Sequence, residues 1–393
     1  MLNTTIETEI VIIGAGIAGC IAAISLAQSH RVVLIDKLES PVDRIGECLA
    51  PAARRILKKL NLLEEFESSI SINEWDHENG NLHIKNRGTQ SYWGSSQVHI
   101  VDPLRNPDGF GWHLNRKAFE DFLRFSAAKR GVQCIWPAKL QESRFDDENW
   151  IIRTKKIDQN LQTESHTINA KFVIDASGRQ SHFARTQGVV RNHFDKLIAC
   201  WITMKNAELN SMSTISTSKL GWWYSAPLPN NKRIIAFQTD SDLIERATVK
   251  ELDLFIESAK KNPEMERFLE KNTSEIQFHG TVAANSSKLN QVTGKQWVAL
   301  GDAAVSFDPL SSQGMFNAMA NAMQLTELLL ALNLVKEPTE SKNRVFYEIY
   351  SQQINQVWEH YMKHKNIFYN QEKRFKDEAF WSRRHVDEFN KNT

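Results

Sequence analysis

Short, uninterrupted runs of apolar residues mark the predicted buried strands of this chain. They are residues 10–13, Val32–Ile35, 172–174, which Asp175 closes, and 297–300. Such runs are typical of parallel sheets, in which helices cover both faces. Between the first two runs, Ile17, Ile21 and Ile24 recur at helical spacing. The chain is therefore predicted to open with a strand, a helix and a second parallel strand.

The rest of the chain divides into strand-like and helical segments. Predicted strands fall within residues 69–98, 132–136, 142–170 and 197–239. Predicted helices are residues 50–66, 116–129, 249–270 with an interruption at Pro263, 315–332 and 342–387. This order predicts a mixed α/β fold, in which a Rossmann-like domain is interleaved with a β-sheet substrate domain and followed by a helical C-terminal region. The predicted boundaries are 1–70, 110–190 and 280–335 for the Rossmann-like domain, 71–109 and 191–279 for the substrate domain, and 336–393 for the C-terminal region.

A glycine-rich turn joins the first strand to the first helix. Gly14, Gly16 and Gly19 have the spacing of a dinucleotide fingerprint, and Asp36 closes the second strand about twenty residues further on. The glycines permit a tight turn, the approach of a pyrophosphate and close helix packing, and the helix N-terminus favours negative charge. The candidate nucleotide-binding residues are Gly14, Ala15, Gly16, Ala18, Gly19, Asp36 and Lys37. The fingerprint alone does not separate FAD from NAD, and an α/β unit whose glycines serve only packing is the alternative.

Composition narrows the class of protein. The 393 residues carry a net charge of +1, so no strong field favours nucleic acid. No apolar run is long enough to span a membrane, and the polar N-terminus does not resemble a signal peptide. The four cysteines are scattered without a metal-binding or disulfide spacing, so we expect free thiols, no metal site and a cytoplasmic protein. The oligomeric state is not predictable from these features.

Two further motifs follow predicted strands late in the chain. Gly301-Asp302 ends one strand, and a short acid there can hydrogen-bond a sugar-alcohol hydroxyl. Residues 308–315, Asp-Pro-Leu-Ser-Ser-Gln-Gly-Met, then open a long helix. Gly314 at that helix start lets backbone N–H groups face a ligand, and the helix dipole stabilises negative charge there.

In this order the motifs resemble those of FAD-dependent aromatic monooxygenases with a single Rossmann domain, and of the related flavin halogenases. The shared motifs are the glycine fingerprint, Asp175-Ala-Ser-Gly178, Gly301-Asp302 and Pro309-Leu-Ser-Ser-Gln-Gly314. The resemblance covers nearly the whole chain and implies FAD as the tightly bound cofactor. It implies that Asp302 holds the ribitol chain, that Gly314 and Met315 face the pyrimidine edge of the flavin, and that Pro309 lies near the ring carbon at which oxygen adds.

The same resemblance implies several other flavin contacts. Arg44, Glu47 and Cys48 would flank the flavin, Arg116 would open the helix beside it, and Leu140 would contact the adenine. Two alternatives stay open: Asp175 could cap a turn, and Arg116 could be an exposed first-turn residue. His113 lies in the motif beside the flavin, although a structural histidine is the commoner case.

The aromatic stretch that begins at Trp222 bears on halogenation. Flavin halogenases carry a W-x-W-x-I-P signature and a lysine that takes up hypohalite, whereas this chain has Trp-Trp-Tyr-Ser-Ala-Pro at residues 222–227. The only lysine in the expected region is Lys85, which we interpret as a solvated strand residue. Consecutive strand residues face opposite sides, so Trp222 and Tyr224 can share a pocket that Trp223 does not. These departures favour hydroxylation.

More narrowly, residues 221–229 and the aromatic, basic C-terminal tail resemble the flavoprotein maturases of tryptophylquinone enzymes, such as glycine or lysine oxidases that carry cysteine tryptophylquinone. The resemblance implies hydroxylation of a tryptophan in a precursor oxidase through a flavin C4a-hydroperoxide, with NAD(P)H as a transient reductant or with a separate reductase. Pro309, Met315 and His113 are the candidate catalytic residues, and Trp222, Tyr224, Ser311 and Ser312 the candidate substrate pocket. The alternatives are a small-molecule aromatic hydroxylase, a tryptophan halogenase and a non-catalytic FAD-binding chaperone.

Overall fold

The computed structural model describes residues 3–68, 82–103, 106–157, 163–207, 212–271 and 275–385. The strands are β1 Asn3–Ile13, β2 Val32–Ile35, β3 Cys48–Leu49, β4 His83–Asn86, β5 Thr89–Tyr92, β6 His99–Val101, β7 Gly111–Leu114, β8 Gln133–Ile135, β9 Lys139–Asp146, β10 Asn149–Ile157, β11 Thr163–Asp175, β12 Arg191–His193, β13 Leu197–Lys205, β14 Ser213–Ser218, β15 Gly221–Leu228, β16 Lys232–Asp240, β17 Gln277–Ala283, β18 Ser287–Leu289, β19 Thr293–Gly294, β20 Trp297–Ala299 and β21 Val305–Ser306. The α-helices are α1 Ile17–Leu26, α2 Ala53–Lys59, α3 Leu63–Glu67, α4 Arg116–Lys129, α5 His182–Thr186, α6 Leu252–Lys260, α7 Pro263–Lys271, α8 Gly314–Ala331, α9 Glu340–Gln371 and α10 Ala379–Ser382.

The apolar runs pair in parallel at the centre of one sheet. Its order is β19-β20-β11-β1-β2-β8, with β10 and β9 continuing from β11. Ile12 is fully buried and lies between Leu34 of β2 and Ile174 of β11. Because β1, β2, β11 and β20 run the same way, their carboxyl ends meet at one edge, where ligands bind in folds of this kind.

A second sheet stands over that edge. Its order is β17-β13-β16-β15-β14-β5-β6. Trp222 and Tyr224 of β15 belong to the core on one face of this sheet, and Trp223 belongs to the core on the other. Trp223 stacks on Phe237 and contacts Phe255 of α6. The alternation of the aromatic stretch therefore places Trp222 and Tyr224 towards the first sheet.

The long helix α9 and the segment after it tie the two sheets together. Tyr350 of α9 donates to the carbonyl of Ala299 at the end of β20 (2.8 Å). Beyond α10, the buried Arg384 pairs with Asp240 at the end of β16, and its guanidinium lies 3.7 Å from the ring centroid of Phe380. The C-terminal region is thus fastened to both sheets.

The predicted fold class is confirmed, with differences in several elements. Residues 50–66 form two helices rather than one, because Asn61 adopts a left-handed conformation (φ 53°) between α2 and α3. β1 begins at Asn3, well before the apolar run, because its polar first half pairs with β11. β17 had no clear signal in the sequence. The strands predicted at residues 69–81 and the helix end at 386–387 lie outside the described residues, and the domain boundaries stay a prediction.

No helix within the described ranges is long and apolar enough to cross a membrane.

Candidate functional site

A cavity of about 1320 Å³ lies between the carboxyl edge of the first sheet and the facing side of the second. The candidate residues on its wall are Gly14, Gly16, Ala18, Asp36, Lys37, Arg44, Glu47, Cys48, Arg116, Leu140, Trp222, Tyr224, Asp302, Pro309, Ser312, Gly314 and Met315. The candidate residues off the wall are Ala15, Gly19, His113, Asp175, Gly301 and Ser311. Stretches that are far apart in the sequence therefore converge on one space.

The three fingerprint glycines have different surroundings. A Cβ on Gly14, whose φ is 111°, would overlap the Ala176 carbonyl, and a Cβ on Gly19 would overlap the Gly14 carbonyl. A Cβ on Gly16 would meet nothing within 4 Å. Gly14 and Gly19 are thus required by close packing, whereas Gly16 keeps an open approach to the first turn of α1, where a phosphate would bind.

One end of the cavity is built around Asp36. Its carboxylate accepts from the N–H groups of Ala15 (2.7 Å) and Leu38 (2.8 Å). Arg124 of α4, nearly buried, lies 3.3 Å from the same carboxylate and donates to the Ala15 carbonyl (3.2 Å). The guanidinium also lies over the ring of Trp136. This network holds the glycine turn and the acid in a fixed relation, as ribose binding requires.

At the other end, α8 begins against the cavity. Neither Gly16 before α1 nor Gln313 before α8 caps its helix with a side chain, so the first N–H groups of both helices remain available. Gly301 lies between the two helices: a Cβ there would be 2.9 Å from the Ala18 Cβ and 3.5 Å from the Ala318 Cβ. Gly301 therefore acts as a spacer that lets two positive helix ends face one cavity.

The loop that carries Asp302 is held from outside the cavity. Arg191 of β12 donates to the carbonyls of Asp302 (2.6 Å) and Ala303 (2.7 Å). The Asp302 side chain is 43% exposed and makes one long contact, 3.8 Å, with Arg179. Its carboxylate therefore remains able to accept from a ligand hydroxyl.

Asp308 links the segment at the start of α8 to α9 and to the second sheet. It is buried, and its carboxylate accepts from the Leu310 N–H (2.9 Å) and from the Tyr369 hydroxyl (2.7 Å). The Trp222 indole N–H donates to that same hydroxyl (3.1 Å). The Tyr361 hydroxyl lies 2.9 Å from the Asp308 N–H and accepts from it. Burial raises the pKa of Asp308. Pro309 and Trp222 are thus positioned by one hydrogen-bond network.

Beside Cys48 the wall carries polar groups that are removed from water. Glu47 is nearly buried and accepts from the Gly46 N–H (3.1 Å). Burial, with the Glu47 charge adding to it, raises the pKa of Cys48 to about 12 and raises the pKa of Tyr224 well above its ordinary value. The thiol and the phenol therefore stay protonated at neutral pH, and Cys48 is a poor nucleophile.

His113 is buried behind this wall, on β7 opposite Cys48 of β3. Among the described residues, neither ring nitrogen has a hydrogen-bond partner. Burial and the charge of Arg233 lower the pKa of His113 to about 3. A neutral ring without access to the cavity fits the structural alternative better than a catalytic one.

Asp175 is fully buried and is occupied by its own turn. Its carboxylate accepts from the Ser177 N–H (3.0 Å), the Ser177 hydroxyl (2.6 Å) and the Ala184 N–H (2.8 Å). The side chain thus holds the turn after β11 against α5. This geometry favours the turn-capping alternative over direct contact with a cofactor.

Arg116 begins α4 and faces the cavity. Its guanidinium donates to the Gly46 carbonyl (2.5 Å) and to the carboxylate of Glu120 (2.7 Å). Arg44 lies 3.9 Å from the same carboxylate. The side chain of Arg116 is only 13% exposed, so the alternative of an exposed first-turn residue does not fit.

Several residues that organise the site were given no role in the sequence prediction. They are Arg124, Arg179, Arg191, Asp308 and Tyr369. Arg124 lies on the buried side of α4 beside Leu123, and a charge in such a position is a usable signal. Asp308 lies inside a predicted motif, but the sequence gives no sign that Tyr369 contacts it.

Lys85 lies away from the cavity. It is exposed on β4, while the next residue, Asn86, donates to Cys48 Sγ (3.5 Å) on the cavity side. The lysines of the wall are Lys37, Lys139 and Lys155; Lys37 follows Asp36, and β9 and β10 pair Lys139 with Lys155. No described group of three or more His, Cys, Asp and Glu could hold a metal ion.

The shape and chemistry of the wall fit FAD. An open glycine at one uncapped helix end suits a pyrophosphate, and the acid that ends β2 suits a ribose. A half-exposed acid after β20 suits the ribitol chain, and the second uncapped helix end suits the pyrimidine edge of a reduced flavin.

Comparison with known proteins agrees with this geometry. The family model for tryptophan halogenases matches residues 9–73 and 95–392. LodB of Marinomonas mediterranea, a protein assigned as an FAD-dependent oxidoreductase, is 27% identical over 385 residues, which cover 96% of this chain and 97% of LodB.

Two solved structures share the fold. The myxobacterial chondrochloren halogenase CndH has a TM-score of 0.81 at 20% identity, over 98% of this chain and 87% of CndH. QhpG, a peptidyl tryptophan dihydroxylase essential for tryptophylquinone cofactor biogenesis, has a TM-score of 0.76 at 20% identity, over 96% of this chain and 78% of QhpG.

Proposed function

The chain belongs to the tryptophan halogenase family and is an FAD-dependent oxidoreductase, and from that premise we propose that it is a monooxygenase that hydroxylates a tryptophan side chain of a precursor oxidase polypeptide. The observation that carries the choice of hydroxylation is the position of the lysines. The wall lysines lie on the Asp36 side, and Lys85 is exposed away from the cavity. A halogenase of this family needs a lysine between the flavin and its substrate.

Bound FAD supplies the electron transfer and the activation of O2, with NAD(P)H as reductant. The residues of this chain bind and orient. The open first turn of α1 would receive the pyrophosphate, and Asp36 and Asp302 would accept from sugar hydroxyls. The first N–H groups of α8 would stabilise negative charge on the reduced ring. Pro309 and Met315 line the same cavity and would lie beside the reacting face of the flavin.

The substrate side of the cavity excludes water with apolar and aromatic groups. Ala199, Ile215, Trp222 and Tyr224 of the second sheet line it. An indole ring is already nucleophilic, so its hydroxylation does not need a strong base in the pocket. His113 is therefore not required for a proton transfer. Its buried position behind the cavity wall agrees with this.

The relatives support a polypeptide substrate. QhpG acts on peptidyl tryptophan and shares the fold over nearly the whole of this chain. LodB matches this chain from end to end, although its assignment does not state a substrate. We further propose a cytoplasmic location, which the free cysteines Cys20, Cys48, Cys134 and Cys200 support.

The test is co-expression with a tryptophylquinone oxidase precursor from the same genome. Mass spectrometry of the precursor digest is expected to show one or two added oxygens on a tryptophan when this chain is present, and none when it is absent. A precursor that remains unmodified with the FAD-loaded protein and a reductant would contradict the proposal.

Halogenation of a small aromatic molecule is the second candidate, because the family and the fold likeness to CndH favour it. Turnover in the presence of bromide separates the two, since a halogenase product carries the bromine isotope pattern. Pro309 variants that retain FAD distinguish an enzyme from a non-catalytic chaperone. If the protein is an enzyme, these variants lose turnover; if it is a chaperone, they keep their effect on the precursor.

A further inference from the structure

The cavity opens beside an uncovered edge of the second sheet. β17 is the last strand of that sheet, and within the described part of the chain it pairs with β13 alone. Three consecutive residues at its end, Thr281, Val282 and Ala283, are exposed. Val282 and Ala283 also line the cavity. A free strand edge and the rim of the active site therefore coincide.

The pairing with β13 decides which backbone groups point outward. The Ala284 N–H donates to the Leu197 carbonyl (3.0 Å), and hydrogen-bonded pairs alternate along antiparallel strands. Val282 is therefore bonded to β13, whereas Thr281 and Ala283 direct their N–H and C=O groups away from the sheet. Such a row of unpaired donors and acceptors is a template for one more strand.

Side chains on this edge alternate between the two faces of the sheet. Val282 pairs with Ala199, which lines the cavity, so the two side chains lie on the cavity face. In a strand added alongside, the residue opposite Val282 points to that same face. Its side chain would enter the cavity beside Val282. Val42, 47% exposed, also lines the cavity.

A β-bulge separates this short segment from the first part of β17. The register shifts between Trp201 and Ile202 of β13, and Gly280 adopts a φ of 75°. A Cβ on Gly280 would meet nothing within 4 Å, so no described residue packs closely against the bulge at that position. Bulges re-aim strands next to functional sites, and this one leaves three regular residues, of which Val282 and Ala283 line the cavity.

We propose that residues 281–283 pair with an extended segment of the polypeptide substrate, so that a tryptophan opposite Val282 inserts its indole into the cavity. This docking rests on the proposed function and names the surface that recognises the polypeptide. The opposite edge of the sheet, β6, is exposed as well, but none of its residues lines the cavity. Recognition through the backbone leaves the side chains beside the tryptophan largely free to vary.

The test uses the FAD-loaded protein and a fluorescently labelled peptide, Ac-Lys-Thr-Val-Trp-Val-Thr-Lys-amide. Ala283→Pro removes an outward N–H without removing a bond to β13, and the extended Val282 before it suits a proline. Fluorescence anisotropy is expected to show the peptide affinity weakened about tenfold or more, because one backbone pair is lost and its neighbour is obstructed. Ala283→Val, which keeps the N–H, is expected to weaken it less.

A second series uses the unaltered protein, so it does not depend on the folding of a variant. Peptides methylated on one backbone nitrogen at a time are expected to alternate between weakened and retained affinity, since alternate N–H groups face β17. Equal affinity across the series, or unchanged binding to a folded Ala283→Pro protein, would overturn the docking proposal.

Failure of the docking and failure of the proposed function are distinguishable. If the unaltered protein oxygenates a precursor tryptophan and Ala283→Pro does so equally well, only the docking proposal fails. If the unaltered protein binds the peptide in an alternating, edge-dependent manner but never oxygenates tryptophan, the docking stands and the monooxygenase proposal fails.

Discussion

Gly16 and Gly19 belong to one motif, yet an added methyl group is expected to affect a different property at each. At Gly16 a Cβ meets no atom within 4 Å, and the backbone (φ −80°, ψ −172°) suits alanine. The apoprotein of Gly16→Ala is therefore expected to unfold within about 0.5–1 kcal/mol of the unaltered apoprotein, since a small loss at the helix cap opposes a gain from a less flexible unfolded chain.

FAD binding is expected to respond strongly to the same substitution. The methyl group would occupy the open approach to the first turn of α1, where backbone N–H groups would face the pyrophosphate. Loss of one or two hydrogen bonds to a charged group costs about 2–4 kcal/mol, which corresponds to a roughly 30- to 900-fold weaker affinity.

Gly19→Ala is expected to show the reverse order of effects. Its Cβ would overlap the Gly14 carbonyl and lie 3.2 Å from the Ala176 Cβ, inside the densely packed contact between α1 and the end of β1. Relief requires movement of the backbone, so the apoprotein is expected to lose about 1–3 kcal/mol of unfolding free energy or more.

Both variants are measured as flavin-free protein, first by urea unfolding and then by titration with FAD monitored by flavin fluorescence. Gly16→Ala with an unchanged FAD affinity would refute the assignment of the pyrophosphate to this turn. Gly19→Ala with an unchanged midpoint of unfolding would refute the packing argument. Equal losses of both properties in both variants would show that the motif acts as a single unit.

Three further predictions concern His113, Tyr369 and Lys85. The pKa of His113 is about 3 in the native state, so between pH 6.5 and about 3 the unfolded chain binds a proton that the native chain does not, and stability falls as the pH falls. His113→Leu is expected to remove roughly 3–5 kcal/mol of this pH dependence, measured by urea unfolding across that range, and to retain turnover. Lost turnover in a folded variant would restore a catalytic role for His113. Tyr369→Phe removes the donor to the buried Asp308 and is expected to destabilise the protein by about 1–3 kcal/mol in chemical unfolding; no change would mean that water replaces the hydroxyl. Lys85→Ala is expected to leave turnover unchanged, with no brominated product in bromide, and a bromide-dependent product that disappears in this variant would identify a halogenase lysine.

The parts of the fold that follow from a local sequence pattern could be predicted. Continuous apolar runs gave the parallel strands, and the spacing of Gly14, Gly16 and Gly19 gave the nucleotide turn. Alternation along β15 separated Trp223 from its neighbours. Motif order added Gly301 and Gly314, although Gly301 proved to be a spacer between α1 and α8.

Features that depend on distant contacts could not be predicted in this way. The bond between Tyr369 and Asp308 joins residues 61 positions apart, and no local pattern requires it. β17 carries a bulge and a glycine, so its alternation is broken. The buried state of His113 follows from the strands packed around it. Its residue type favoured a structural role, and only its place in the motif beside the flavin suggested a catalytic one.

The central claim is that separated motifs converge on one bound flavin, which directs oxygen into a tryptophan of a polypeptide. The most direct measurement exposes the FAD-loaded protein, NAD(P)H and the precursor polypeptide to ¹⁸O₂ and locates the label by mass spectrometry. The account predicts oxygen-18 on a tryptophan side chain of the precursor, dependent on the reductant. A precursor without label, or with oxygen drawn from water, would contradict it.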